Sequence, residues 1–334
     1  MNSKLLSLLK YILLLSVAFV LLLFAFRGIN VSKVFHEMLQ ANIFWVLLSA
    51  LFSFIALFSR AYRWNLLIEP TGYSPPLKRT LFALMIGYFA NLAFPRLGEV
   101  TRCGTLSKDQ SIPFTSLLGT VIIERVVDVI SLFICILLVS ILEFKRLGDF
   151  LTENIMHPIA LKWKQLMNSP IVILVVLIFI AFILFTIFYF IKRSNQQNKE
   201  PKLIHWVKGL LKGLRAVANL KRPWLFIFHS IFIWVLYFLS TYVCLFALPT
   251  TSHLGLSTAL FLLVAGGLGM SAPVQGGIGA YHLLVSQGLM LYGLSQQDGL
   301  TFATLVHTLS LATVVLFGVA SLLLLYSANK KNKA

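Results

Sequence analysis

Charged residues are scarce in this chain. Asp, Glu, Lys and Arg make up only 12% of its 334 residues, whereas 58% are hydrophobic. An ordinary soluble domain is about 25% charged and roughly 45 to 50% apolar. The composition therefore excludes a soluble globular protein, and the high hydrophobicity also excludes intrinsic disorder. Acids are the scarcer charge, since 11 Asp and Glu stand against 28 Lys and Arg, for a formal net charge of +17.

Cysteine and catalytic motifs are scarce as well. The three cysteines, Cys103, Cys135 and Cys244, show no CxxC spacing, which argues against a disulfide framework and against a zinc site. The chain contains no HExxH, GxSxG or Walker A sequence, so we expect no metal or cofactor and disfavour an enzyme. Nucleic-acid binding is also a poor explanation of the basic residues, because membrane topology alone predicts basic loops.

Long apolar runs are what the sequence has in abundance. A helix needs about 20 apolar residues to cross a bilayer core of about 30 Å, and runs of this length indicate helices rather than barrel strands. The sequence therefore predicts an all-α polytopic membrane protein, forming one transmembrane domain over residues 1–334. The run 11–26 lacks a small-residue cleavage site and is interpreted as a span rather than a signal peptide. The six predicted spans are 11–26, 43–62, 115–142, 170–191, 223–248 and 300–326.

Two further apolar stretches are interrupted by residues that break helices. The stretch 80–95 ends in Pro95, and the stretch 257–294 is interrupted by Pro273 and by the six glycines nearest to it: Gly266, Gly267, Gly269, Gly276, Gly277 and Gly279. Because proline removes a helix hydrogen bond and glycine weakens a helix, both segments should break at membrane depth. Non-helical backbone at that depth is tolerated only where it is buried in protein or lines a wet cavity.

The distribution of basic residues predicts how these segments thread the membrane. The loop 192–222 has nine Lys or Arg and one acid, Glu200, so it should be cytoplasmic. Within it, residues 201–222 are predicted to form an amphipathic helix on the membrane surface. With the basic C-terminal tail also inside, both termini are expected in the cytoplasm. The segment 80–112 then begins and ends inside as a re-entrant hairpin. The segment 257–294 starts and ends outside, as a second hairpin or as two short spans, which would give eight helices.

These segments form two units of similar plan, 43–142 and 223–326. Each contains a span, an interrupted hairpin and a span, and the two hairpins open toward opposite faces. An inverted-topology repeat with interrupted segments in both halves is typical of transporters, which bind substrate at the interruptions. The alternative is that the glycines only let kinked helices pack closely.

Three acids lie where charge is expensive. Glu124 falls about nine residues into its span, roughly 14 Å deep, so it is a functional candidate that needs a partner. Arg125 and Asp128, spaced i, i+3, can neutralise one another. The expected partner of Glu124 is therefore Arg96 or Arg102 on the preceding hairpin. The alternative is a salt-bridge cluster that only holds hairpin and helix together. Glu99 belongs to the same broken segment.

Arg60 and Arg63 lie at the inner end of the second span. Arginines in such places usually snorkel to lipid headgroups. They are also candidates for admitting an anionic headgroup from the inner leaflet.

The second hairpin offers glycines and histidine instead of charge. Gly276, Gly277 and Gly279 precede His282, and backbone amides at the start of a helix are suited to phosphate. The alternative role for these glycines is close packing. His307, alone on the last span, is interpreted as a packing residue.

Three short motifs in order resemble a known family. They are the sequence from Pro95 to Glu99 with Arg102, then Glu124-Arg125 with Asp128, and then Pro273 followed by the glycines from Gly276 to Gly279. Together they resemble the transmembrane, flippase-like region of lysylphosphatidylglycerol synthases.

The resemblance implies lipid translocation across the bacterial cytoplasmic (inner) membrane. It implies functional roles for a set of six residues: Arg96, Glu99, Arg102, Glu124, Arg125 and Asp128. The aminoacyl-transfer domain of bifunctional members is absent from these residues, and His282 replaces the Glu that many relatives have after the glycine motif.

The function expected from the sequence is movement of an anionic phospholipid or a polyprenyl-phosphate-linked lipid between leaflets. The rival hypotheses are a membrane-embedded transferase or hydrolase that acts on a lipid-linked substrate, and a non-transporting scaffold for envelope assembly. The expected partner is the lipid itself, with no nucleic acid.

Overall fold

A computed structural model of the chain describes residues 16–94, 97–152 and 220–331. All regular structure in these ranges is helical, as the apolar runs predict. Two short 3₁₀ turns, Glu69–Thr71 and Gln275–Gly277, accompany the α-helices. The α-helices are α1 Ser16–Ala25, α2 Val31–Leu39, α3 Ile43–Ile68, α4 Leu77–Ala93, α5 Leu97–Gln110, α6 Phe114–Leu142, α7 Phe144–Leu151, α8 Pro223–Leu245, α9 Leu256–Ser271, α10 Ala280–Met290 and α11 Gln296–Lys331.

Four of these helices are long and apolar enough to cross a membrane. The candidate spans are Ile43–Thr71, Phe114–Leu142, Pro223–Leu245 and Gln296–Ser327. They correspond to the predicted spans at 43–62, 115–142, 223–248 and 300–326. Many of their large apolar side chains face outward, such as Ile141 on α6, which suits a lipid surround. The chain is therefore a multi-pass membrane protein.

The remaining predicted spans lie partly or wholly outside the described residues. Of the first, 11–26, the structure describes the apolar helix α1. The span predicted at 170–191 lies outside the described ranges, as does nearly all of the basic loop 192–222.

Both interrupted stretches form pairs of short helices, close to the predicted bounds 80–112 and 257–294. In the first pair, α4 has 17 residues and α5 has 14; in the second, α9 has 16 and α10 has 11. Each is shorter than the roughly 20 residues that cross a bilayer core. The sequence order long, short, short, long therefore occurs twice, in α3 to α6 and in α8 to α11.

Glycines let the two short helices of each pair come into close contact. A Cβ atom added to Gly87 of α4 would lie 2.7 Å from the carbonyl oxygen of Gly98 in α5, and one added to Gly269 of α9 would lie 2.7 Å from Cα of Tyr281 in α10. The Gly98 amide also donates to Oδ1 of Asn91 at 2.6 Å. At each predicted helix break, two short helices therefore pack closely, because a glycine without a Cβ atom lies where they meet.

The two long helices α3 and α8 pack along each other through small polar residues. The hydroxyls of Ser49 and Ser53 lie 2.9 and 2.8 Å from Oγ of Ser240. Further along the pair, Oγ of Ser59 lies 2.8 Å from Nδ1 of His229. Small hydroxyl residues let apolar helices approach and bond within a membrane. This pairing positions the arginines of α3 beside α8.

Candidate functional site

Glu124 is the centre of a buried cluster of arginines and carboxylates. Its side chain is fully buried, and it accepts hydrogen bonds from Nη2 of Arg60 at 2.9 Å and from Nη1 of Arg102 at 3.0 Å. The guanidinium of Arg63 lies 3.5 Å from the same carboxylate. Three arginines from two helices therefore surround one acid. An isolated buried carboxylate would be strongly disfavoured, and these neighbours neutralise it.

Asp128 lies one helical turn after Glu124 and joins the same cluster. It accepts from Nη2 of Arg63 at 2.6 Å and from Nη2 of Arg60 at 2.8 Å. The spacing i, i+4 puts both acids on one face of α6, and the spacing i, i+3 puts both arginines on one face of α3. The two helices therefore meet through matched pairs of opposite charge.

The outer edge of the cluster is formed by Arg125 and Glu99. Nε of Arg125 lies 3.4 Å from Oε1 of Glu99, and its Nη1 lies 3.7 Å from Asp128. Their side chains are 40% and 26% exposed, in contrast to the buried centre. We call the whole set the arginine cluster: Arg60, Arg63, Glu99, Arg102, Glu124, Arg125 and Asp128.

Aromatic side chains hold the arginines in place. The guanidinium of Arg102 lies 4.7 Å from the ring centroid of Trp64, whose Nε1 donates to Oγ1 of Thr120 at 2.9 Å. Arg60 donates to the Tyr237 hydroxyl at 3.2 Å. Its guanidinium also lies 5.9 Å from the ring centroid of Tyr88. These contacts hold Arg60 and Arg102 in defined positions.

Several of the guanidinium nitrogens have no partner. Nε of Arg60, of Arg63 and of Arg102, and also Nη2 of Arg102, are buried without a hydrogen bond. Buried polar groups are usually bonded, so such exceptions point to a missing ligand or water. Four arginines also face three carboxylates, which leaves one excess positive charge among the described residues. The cluster can therefore receive an anion.

The structure brings most of the predicted charged residues together. Arg102 is the partner of Glu124, which was one of the two predicted choices; the other, Arg96, lies outside the described residues. Arg60 and Arg63 differ from the snorkelling expectation, since they are 8% and 0% exposed and turn inward. The reason is that α3 presents them to the acids of α6 rather than to lipid.

The second candidate site is the glycine turn, residues 272–279, between α9 and α10. Gly276, Gly277 and Gly279 all have positive φ, which favours glycine. A Cβ on Gly279 would lie 2.7 Å from the carbonyl oxygen of Ala18, and one on Gly277 would lie 2.6 Å from the Met270 sulfur. The start of α10 is thus covered by α1. These contacts favour close packing over an open anion cradle at the predicted glycines.

Two histidines adjoin the glycine turn. Nε2 of His307 donates to the carbonyl oxygen of Gly276 at 2.8 Å, and its ring stacks on Tyr281. The ring of His282 lies 4.8 Å from that of His307, edge to face. His307 is therefore a satisfied packing residue, as predicted. His282 is buried, and its Nδ1 has no hydrogen-bond partner.

Sequence reasoning overlooked four uncharged residues of the two sites: Trp64, Tyr88, Tyr237 and Gln275. Trp64 lies one turn after Arg60 on the same face of α3, a spacing that could have indicated it. Tyr88, Tyr237 and Gln275 gave no such signal. Within the described ranges there is no group of three or more His, Cys, Asp or Glu that could hold a metal.

Comparison with known proteins gives a family for the chain. The family model described as Lysylphosphatidylglycerol synthase TM region matches residues 11–318. A UPF0104 membrane protein of Methanocaldococcus jannaschii is 29% identical over 120 residues. That match covers 35% of this chain and 35% of the relative, so the aligned part spans about a third of the relative's length. No solved structure matches the chain.

Proposed function

Because the chain belongs to the family of lysylphosphatidylglycerol synthase TM regions, we propose that it moves an anionic lipid between the leaflets of the cytoplasmic membrane. The substrate class is an anionic phospholipid or a polyprenyl-phosphate-linked lipid. The chain acts as a transporter and not as an enzyme, with both termini in the cytoplasm.

The observation that carries this proposal is that two nitrogens of the buried Arg102 guanidinium, Nε and Nη2, have no hydrogen-bond partner. These free donors lie at a place where the described charges sum to an excess of one positive. A phosphate group has several acceptor oxygens and a negative charge, and arginine binds it through paired donors. The apolar tails of the lipid would remain outside, along the apolar outer faces of the long helices.

The two pairs of short helices support a route for the headgroup. We propose that α4 with α5 and α9 with α10 are re-entrant hairpins that enter from opposite faces, so that residues 43–142 and 223–326 form an inverted repeat. Alternating exposure of the site between two such units is the usual transport mechanism of this architecture. The predicted positions of the hairpins, 80–112 and 257–294, suit this arrangement.

The acids of the arginine cluster act as internal substitutes for the substrate. In the empty state Glu124 and Asp128 hold Arg60, Arg63 and Arg102 in place. An incoming phosphate takes the free donors of Arg102 and competes with Glu124 for the others. Departure of the phosphate lets Glu124 recover its contacts, so the buried arginines never lack a partner of opposite charge. Arg125 and Glu99, at the exposed edge, guide the headgroup in.

Transport of labelled lipid in proteoliposomes tests this function. Fluorescent anionic lipid should exchange between leaflets in the presence of the protein. Exchange should be slowed by about tenfold or more in Arg102→Ala, which removes the free donors, and in Glu124→Gln. Arg125→Ala, at the exposed edge, should slow exchange with little effect on folding.

The matched control uses an ion pair between the same two short helices. Nη1 of Arg79 lies 3.1 Å from Oδ1 of Asp109 and links α4 to α5 outside the cluster. Arg79→Ala should exchange lipid at the rate of the unaltered protein. Equal rates in Arg102→Ala, Arg125→Ala and the unaltered protein would contradict the proposed function.

A further inference from the structure

Gln275, in the glycine turn, is a buried amide without any hydrogen bond. Its side chain belongs to a residue that is only 6% exposed, and neither Oε1 nor Nε2 has a partner. Buried amides are almost always bonded at least once. His282, 5% exposed, adds an unpartnered Nδ1. The turn and the start of α10 thus contain three buried polar atoms without a hydrogen-bond partner.

His307 cannot satisfy these atoms through its Nε2, because that nitrogen already bonds to the backbone. A carbonyl oxygen only accepts, so Nε2 of His307 carries the proton that it donates to Gly276. That bond fixes the ring, which is also stacked on Tyr281. The unsatisfied atoms are therefore an amide donor, an amide acceptor and an imidazole nitrogen.

These atoms belong to a segment of the chain without charged residues. Residues 254–297 contain no Asp, Glu, Lys or Arg, and none of the ion pairs among the described residues includes a member of this segment. The close packing of α1 on Gly279 also covers the start of α10, where an anion would otherwise bind. The chemistry that remains suits a neutral group that both donates and accepts.

We propose that Gln275 and His282 form a binding subsite for a hydroxyl-bearing group, such as a glycerol or sugar hydroxyl. A hydroxyl donates to Oε1 of Gln275 or to an unprotonated Nδ1 of His282, and it accepts from Nε2 of Gln275, so hydroxyl groups match the hydrogen-bonding capacity of these atoms. The hydroxyl belongs either to the headgroup of a lipid or to a free sugar. The subsite does not depend on the arginine cluster binding an anion.

The first helix pair places the glycine turn close to the arginine cluster. A Cβ on Gly276 would lie 3.2 Å from the side chain of Leu92 near the end of α4. Tyr88, one turn earlier on α4, lies beside Arg60. About one turn of α4, roughly 6 Å along its axis, therefore separates the contacts that the two sites make with this helix. A hydroxylated headgroup that leaves one site can reach the other.

A pair of lipids with equal charge tests the subsite. The purified chain is prepared in lauryldimethylamine oxide, which has no hydroxyl group, and bound lipid is measured by native mass spectrometry. Phosphatidylglycerol and phosphatidylpropanol carry the same charge and differ only in two hydroxyls. The protein should prefer phosphatidylglycerol by about fivefold, the worth of one hydrogen bond. Gln275→Leu and His282→Phe should each reduce this preference.

A second glutamine provides the matched control, because Gln287 lies exposed on α10. Gln287→Leu should keep the full preference for phosphatidylglycerol.

Free methyl glucoside tests whether the ligand is a free sugar. It is a free sugar if methyl glucoside raises the melting temperature of the unaltered protein but not that of Gln275→Leu. If the unaltered protein shows neither the preference for phosphatidylglycerol nor the rise in melting temperature with methyl glucoside, the turn holds water only and the proposed subsite is wrong. A preference that survives in Gln275→Leu would overturn it too.

Phosphatidylcholine distinguishes this result from the proposed function. Preference for phosphatidylpropanol over phosphatidylcholine measures charge alone and should depend on Arg102 but not on Gln275. Loss of this charge preference in the unaltered protein would count against the arginine cluster as an anion site and leave the hydroxyl comparison valid.

Discussion

The arginine cluster and the glycine turn are alike in backbone and opposite in chemistry. Each lies beside a pair of short helices held together by glycine contacts. The arginine cluster contains seven charged side chains, whereas the segment that includes the glycine turn has no Asp, Glu, Lys or Arg. A repeated architecture therefore carries two different kinds of polar site.

The two sites also differ in how their polar atoms are satisfied. In the arginine cluster, each arginine faces at least one carboxylate, and removal of either partner leaves the other without its counter-charge. In the glycine turn, the side-chain amide of Gln275 has no hydrogen-bond partner, so its removal leaves no other polar group unpaired. Loss of one polar partner should therefore destabilise the folded chain at the first site, whereas burial of the Gln275 amide opposes folding at the second. A function is the natural reason to retain Gln275 there.

Removal of Glu124 should have the largest effect on stability. Glu124→Ala leaves the buried Arg102 and part of Arg60 without their carboxylate, and loss of one member of a buried ion pair costs about 3 to 5 kcal/mol. The free energy of unfolding, measured by denaturant titration in detergent, should fall by this amount. His282→Phe, the corresponding removal at the glycine turn, should change it by less than about 1 kcal/mol.

A double variant separates the charge effect from the loss of packing. Adding Arg102→Met to Glu124→Ala removes the uncompensated charge, so the pair should be more stable than Glu124→Ala alone. A simple sum of the two single losses would mean that the arginine and the acid do not interact, against the 3.0 Å contact between them.

The parts of the fold that follow from bilayer thickness could be predicted from sequence. The four long apolar helices occur where the apolar runs lie, because only a run of that length can cross the hydrocarbon core. The end of α3 differed: the predicted span stopped at residue 62, whereas the helix continues to Ile68. Arg60 and Arg63 find acids inside the protein, so they do not mark an interface with water.

Residues of the candidate site could be predicted only where the sequence shows that a buried group requires a partner. A buried acid needs a cation, so Glu124 indicated Arg96 or Arg102 in advance, and the structure shows Arg102. An arginine near a helix end has two solutions, lipid headgroups or an internal acid, and the choice depends on how helices face one another. Gln275 was not predicted, because it stands out only by the lack of hydrogen-bond partners around its side chain. That lack depends on the folded structure and not on any local sequence pattern.

The close glycine contacts should have similar, intermediate effects in both hairpins. Gly87→Ala forces a Cβ against the backbone of α5, and Gly269→Ala forces one against the backbone of α10. Each should lower the free energy of unfolding by about 1 to 3 kcal/mol, because backbone cannot move aside as a side chain can. Gly104→Ala on α5 meets nothing within 4 Å and should be neutral or slightly stabilising. A loss in only one hairpin would show that the two pairs are not built alike.

The smallest expected effect has the opposite sign at the two sites. Gln275→Leu removes a buried side-chain amide that has no partner. Without added lipid, the free energy of unfolding should therefore increase by about 1 kcal/mol, and the melting temperature should rise with it. Thr120→Val, beside the arginine cluster, leaves Nε1 of Trp64 without the acceptor it now has at 2.9 Å; it should lower stability by about 1 kcal/mol. Thermal unfolding of both variants in the same hydroxyl-free detergent makes the comparison. If Gln275→Leu lowers stability as Thr120→Val does, then Gln275 is bonded in the free protein, and the contrast between a satisfied and an unsatisfied site is wrong.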